Sequence, residues 1–218
     1  LKPLGIPIAV ITNSSLMWRT DVRRELAKAD WVSLKMDAFE DGIWRRINRP
    51  EVFLQHFAIH NGMLDFASHF SGQLMTETML IKDLNEDDGQ LRDMADFIAQ
   101  IKPQKAYLSI PIRPPLEKWV HRPVEDRLNR AFQIYSEKLP KVEYLIGYEG
   151  NAFSYTGDAE KDLLSITSVH PMRKSAVQEL LSKANEPWGL VDHLIAAGDI
   201  KESLYEGHAY YLRTFENT

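Results

Sequence analysis

The chain has 218 residues, enough for one medium domain or a domain with a small appendage. Its 44% hydrophobic and 26% charged content is ordinary for a globular protein, and a net charge of -5 argues against bulk attraction to nucleic acid. No apolar run approaches the roughly 20 residues of a membrane span, and with no cysteine the chain has no disulfide, thiolate nucleophile or cysteine-ligated metal.

Residues 6–13 (IPIAVITN) form a short apolar, β-branched run stopped by polar residues, which predicts a buried strand. Helical spacing follows over residues 20–29, then a second strand over 31–38 (WVSLKMDA). A longer helical pattern spans 53–70 and ends at Gly72, and residues 74–81 (LMTETMLI) read as a third strand. Residues 88–102 place Leu91, Met94, Ala95, Ile98 and Ile101 on one helical stripe stopped by Pro103. A fourth strand covers 106–112 (AYLSIPI). Strand and helix thus alternate, which predicts right-handed βαβ units and a parallel sheet, doubly wound or part of a barrel.

Beyond Ile112 the pattern changes. Arg113-Pro114-Pro115 breaks regular structure, residues 125–139 read as a helix, and 149–156 (EGNAFSYT) as a loop. A new module begins at Asp162, with a lead-in over 165–171, helices over 174–183 and 188–197, and two short strands around Glu206-Gly207. Helix, helix and hairpin in this length resemble a winged helix. The expected division is therefore a βα unit over residues 1–145, a linker over 146–161 and a winged-helix-like domain over 162–218.

Polar residues inside apolar strands carry the chemical signal. Ser33, Lys35 and Asp37 lie at i, i+2 and i+4 and so share a face. Tyr107, Ser109 and Arg113 repeat the pattern, and Glu77 shares a face with Met75, Met79 and Ile81. An unpaired buried charge is costly. These side chains therefore either line an open barrel interior, or belong to a strand with one solvent-facing side or to a structural Lys–Asp pair. The first strand ends in Thr12-Asn13-Ser14-Ser15, where ligands of parallel sheets bind. Arg46, Asn48 and Arg49 read as a loop leading into a helix, with an anionic substrate as the alternative. His56 and His60 are spaced i, i+4, but with no third ligand nearby they read as surface or satisfied histidines, and no metal site is expected.

The runs ITNSS (11–15), SLKMDA (33–38), WRRINRP (44–50), ETMLIKDLN (77–85), PIRPP (111–115) and SITSVHPMR (165–173) occur in that order. Together they resemble a branch of radical S-adenosylmethionine (radical SAM) iron–sulfur oxidoreductases related to tRNA wyosine-synthesis enzymes. The resemblance implies an α/β fold: the last four βα units of a partial TIM-like (βα)6 barrel, plus the winged-helix-like domain. It also implies SAM and a [4Fe–4S] cluster in a longer parent, held by a CxxxCxxC loop and a GGEP-like stretch that this chain lacks. The chain alone should then be inactive, and Leu1 in place of an initiator methionine reads as the start of a fragment. Carried over by position, Thr12, Asn13, Lys35, Asp37, Glu77 and Met79 face SAM, while Ser109, Arg113, Asn48 and Arg49 face substrate; no catalytic residue is assigned.

The substrate stays open, with tRNA a weakly supported partner. A cytoplasmic location is expected, without membrane attachment, and the edge of the first strand offers a route to homo-oligomers. Two other readings stand beside this one. The first is a ligand-sensing regulator whose winged helix contacts DNA or protein. Residues 160–218 carry six Lys or Arg against nine Asp or Glu, which disfavours DNA. The second is an α/β enzyme with Lys35 and Asp37 as an acid–base pair.

Overall fold

The computed structural model describes residues 2–147 and 150–214. The chain divides into two compact units, one running to Pro111 and resuming over Trp119–Ile146, the other formed by Ile112–Lys118 and the residues from Gly147 onward.

The first unit is a parallel sheet under helices. Its strands are β1 (Ala9–Thr12), β2 (Trp31–Lys35), β3 (Gln73–Met79), β4 (Lys105–Ser109) and β5 (Val142–Leu145). They lie side by side in sequence order, all parallel. The helices are α1 (Thr20–Leu26), α2 (Asp41–Asn48), α3 (His56–His69), α4 (Asp88–Ile101) and α5 (Glu125–Lys138). Right-handed crossovers between successive neighbouring strands put every helix on one face. That face is the core. Val32, Leu34, Thr76, Thr78, Ala106 and Leu108 are all at most 1% exposed. Tyr135 of α5 donates its hydroxyl to Thr78 Oγ1 at 3.3 Å, which fixes this face beneath the helices.

Local sequence explains the best-formed elements. Asp87 caps α4 by accepting from the Gly89 and Gln90 amides, and the apolar stripe of that helix, Leu91 to Ile101, is buried. It ends at Lys102, whose φ of 55° is left-handed, just before Pro103. Gly62 lets α3 lie against the backbone of Met17, where a Cβ would collide with its carbonyl.

Three expectations need correction. The sheet has five strands, not four, because Val142–Leu145 pairs with β4. Glu143 interrupts this four-residue run, so its local pattern is weak. Only pairing makes it a strand. Second, Arg46 and Asn48 do not lie in a loop leading into a helix: they belong to α2, which Arg49 caps and which is held by the buried Trp44 ring and an Arg45–Asp41 ion pair at 2.8 Å. Third, the later module opens on a helix over Ala159–Val169 rather than on a lead-in at 165–171.

The second unit contains that helix, α6, then β6 (Met172–Arg173), α7 (Lys174–Ala184), α8 (Gly189–Ala196), β7 (Ile200–Tyr205) and β8 (His208–Arg213). The antiparallel sheet runs β6-β8-β7. Glu206 and Gly207, both with positive φ, close the two-residue hairpin as its twist requires. Leu163, Val177, Leu180, Leu194 and Tyr211 centre its own core. Among the described residues no helix is long and apolar enough to cross a membrane.

Candidate functional site

The sheet face opposite Leu34, Thr78 and Leu108 carries a polar cluster among Trp31, Met75 and Met79. Register aligns Lys35 with Glu77 across β2 and β3, and Met79 with Ser109 across β3 and β4. Side chains two apart in a strand share a face, so Lys35, Glu77 and Ser109 meet there. The Lys35 ammonium donates to Glu77 Oε1 at 3.2 Å and lies 3.6 Å from Asp37 Oδ1. Ser109 Oγ donates to the same Glu77 oxygen at 2.9 Å.

Asp37 follows β2, and its carboxylate has no exposed surface, whereas Lys35 and Glu77 keep 24% and 20% of theirs. Two donors hold it, the Met79 amide at 2.9 Å and the Asn48 side-chain amide at 3.0 Å, and Lys35 adds an ion pair. Burial pushes the Asp37 carboxyl above its usual range, against the opposing pull of Lys35, Met79 and Asn48. Burial also pulls on the Lys35 ammonium, but Asp37 and Glu77 outweigh it and hold the lysine above its ordinary value. The pair is therefore built to keep Lys35 charged.

Sequence reasoning missed Asn85. Its side chain, 3% exposed, donates to the Asp37 and Met79 carbonyls at 2.7 and 2.8 Å and accepts from the Ile81 amide at 2.7 Å. An asparagine shortly after a strand is the only local trace of this role. It ties the end of β2 to the end of β3.

The other candidate residues are placed differently. Thr12 aligns with Leu34 on the helix-covered face and accepts from the Ser14 amide. Asn13 forms a local turn by accepting from Ser15, and it lines a pocket with Ser14, Lys35, Asp37 and Asn48. Arg49 is the exposed, left-handed cap of α2. Arg113 lies in the second unit, its Nη1 2.5 Å from His170 Nδ1. The network thus gathers Lys35, Asp37, Asn48, Glu77, Ser109 and the Met79 backbone.

His56 and His60 are not surface residues. They are 6% and 9% exposed. The Trp44 ring stacks on His56 at 4.3 Å, His60 follows at 4.0 Å, and Phe97 lies 4.5 Å beyond it. Burial lowers both imidazoles to about 4, and each histidine is therefore neutral at pH 7; His60 adds to the shift of His56. The sequence signal was the i, i+4 spacing; only packing shows that it faces inward.

Chemically, the face offers one ammonium, one partly exposed carboxylate and one hydroxyl at the C-terminal ends of three parallel strands. Such a set can take a zwitterionic or hydroxyl-rich ligand. It holds no thiolate, and among the described residues no three His, Cys, Asp or Glu side chains are grouped to bind a metal.

No protein-family model matches the chain. A UPF0026 protein of Methanocaldococcus jannaschii is 37% identical over 219 residues, covering all of this chain and 68% of its own length. The chain spans half or less of the length of the other curated relatives it matches. Among solved structures, a domain of pyruvate-formate lyase-activating enzyme from Bacteroides vulgatus aligns with a TM-score of 0.53 at 17% identity, covering 67% of this chain and 84% of that one. A radical SAM methyltransferase from Sphaerobacter thermophilus aligns with a TM-score of 0.50 at 18% identity, covering 65% and 42%. At such identities the likeness is one of fold.

Proposed function

Since the chain belongs to the UPF0026 family, we propose that this family works by radical SAM chemistry and that this chain is the SAM- and substrate-facing part of the enzyme. The observation that supports this reading is the Lys35–Asp37–Glu77–Ser109 network at the C-terminal ends of the strands of a sheet that shares its fold with a radical SAM methyltransferase and with a domain of pyruvate-formate lyase-activating enzyme. The residues present fit SAM. Lys35 would meet its carboxylate, and Glu77 and Ser109 its hydroxyls, by charge-assisted hydrogen bonds in a partly desolvated site. When bound, SAM supplies the reactive group for hydrogen abstraction. Asp37, Asn48 and Asn85 keep the Lys35 ammonium charged and aimed, and the sheet excludes water beneath it.

A [4Fe–4S] cluster does not fit the residues of this chain, which has no cysteine. We assign its thiolates, and further strands, to another part of a longer protein. The chain's 68% share of the M. jannaschii relative supports this, as does Ile11, 70% exposed on the edge strand β1. Kinship with the wyosine branch, and with it tRNA, belongs to the same proposal, as does self-association through that edge. The second unit's order of helix, short strand, two helices and hairpin supports a winged helix. Its α8 carries Asp192 and His193 and no Lys or Arg, which favours a protein contact over DNA.

The test uses the longer protein, reconstituted anaerobically with iron and sulfide, and follows SAM binding and cleavage. Replacing the partly exposed carboxylate, Glu77→Gln, should weaken SAM binding about ten- to hundredfold with iron content unchanged. Unaltered binding removes this face from the SAM site, and a wild-type protein that holds no cluster refutes the radical reading.

A further inference from the structure

Behind Asp37 lies a small pocket between the end of β2 and helices α2 and α3, lined by Ser14, Asp37, Trp44, Asn48, His56 and His60. Three of its polar atoms lack a hydrogen-bond partner among the described residues: Ser14 Oγ, Asn48 Oδ1 and His60 Nε2. Ser14 is 2% and His60 9% exposed, so bulk solvent does not serve them. Buried polar atoms are almost always satisfied by protein or by ordered water. Three of them on residues that line one cavity point to a shared guest.

The guest's size and chemistry are constrained. The interior has room for about one water molecule. Burial keeps the imidazole neutral, so His60 brings no charge to the pocket. Asn48 cannot turn over to help itself. Its Nδ2 already donates to Asp37 Oδ2 at 3.0 Å, and the flipped amide would set its oxygen against a carboxylate. Its Oδ1, buried without a partner, therefore requires a donor.

We propose that this pocket is a hydration site: one ordered water, held by Ser14, Asn48 and His60, locks the Asn48 amide in the orientation that serves Asp37. The hydrogen count balances. The water accepts from the Ser14 hydroxyl and donates its two protons to Asn48 Oδ1 and to His60 Nε2, which requires the imidazole tautomer protonated at Nδ1. Ser14 and His60 are thereby positioning residues, acting on Asp37 through Asn48.

The test combines a high-resolution crystal structure of this chain with hydrogen exchange of the Asn48 side-chain amide measured by nitrogen-15 NMR. Neither needs SAM, so a failure here leaves the radical SAM reading untouched, and the reverse also holds. The wild type should show one density peak within hydrogen-bond reach of all three atoms. Ser14→Ala and His60→Phe, the second of which keeps a ring in the stack, should each speed Asn48 exchange about fivefold, the equivalent of one net hydrogen bond. Backbone exchange at Leu34 and Leu108 should not change. If His60→Phe does not fold, Ser14→Ala carries the test alone. A pocket closed by side chains, unchanged Asn48 exchange, or equal acceleration at Leu34 would each overturn the proposal.

Discussion

Lys35 sits 3.2 Å from Glu77 and 3.6 Å from Asp37, whose carboxylate has no exposed surface. At an effective dielectric of about 20, each contact contributes about 5 kcal/mol of attraction, most of which desolvation offsets. Replacing the lysine by an unbranched, uncharged chain one atom shorter, Lys35→Met, keeps most of the packing but leaves two carboxylates facing each other. Breaking a buried pair from one side costs about 3–5 kcal/mol. The loss should depend on pH. Without its ammonium, the Asp37 carboxyl, already raised by burial, rises further, so the folded state binds a proton that the unfolded state has released. Stability of the variant then falls as pH increases from the unfolded carboxylate pKa up through the raised folded value, and the damage is smaller at pH 5 than at pH 8. The double variant Lys35→Met/Asp37→Asn should recover much of the loss. Because the chain has two units, a global transition is a poor reporter. The measurement is urea-dependent hydrogen exchange at β2 and β3 amides. A loss below 1 kcal/mol, or one that is the same at both pH values and persists in the double variant, refutes this account.

The neutral histidine pair gives a second pH effect with the opposite sign. Between about pH 6.5 and 4 the unfolded chain takes up protons that His56 and His60 refuse, so stability falls with acidification, by up to about 3 kcal/mol per ring. Ring proton shifts that stay flat to pH 5 would bear this out, and His56→Phe should flatten the acid slope of the stability curve. Asn85→Ala should cost about 2–3 kcal/mol, since it strands the Ile81 amide and two carbonyls; amide exchange at Ile81 reads this directly. Gly62→Ala should cost about 3 kcal/mol or more, because the added methyl meets the Met17 backbone and not a movable side chain. Unchanged hydrogen exchange at the α3 amides would contradict it.

Much of the first unit was legible in the chain itself. Apolar, β-branched runs alternating with helical stripes predicted parallel βαβ units, and two-residue periodicity put Lys35 on one face of its strand with Ser33, Glu77 with Met79, and Ser109 with Tyr107. Periodicity is local, and it is strong wherever one side of an element is buried. It fails where an element is short or its charges are satisfied from afar. The β5 strand and helix α2 were missed for that reason, since neither has a long enough apolar pattern to announce itself. Tertiary structure alone decided which polar groups meet. Asp37 finds Met79 across 42 residues and Asn85 across 48, and no spacing rule joins them. It also sent Arg113 to the second unit, turned the His56–His60 spacing inward against Trp44, and left Ser14, Asn48 and His60 around one cavity. Local sequence sets the face a side chain takes on its own strand or helix. Its partner across the fold is set by how those elements pack, which is where burial makes an unpaired polar group too costly to keep.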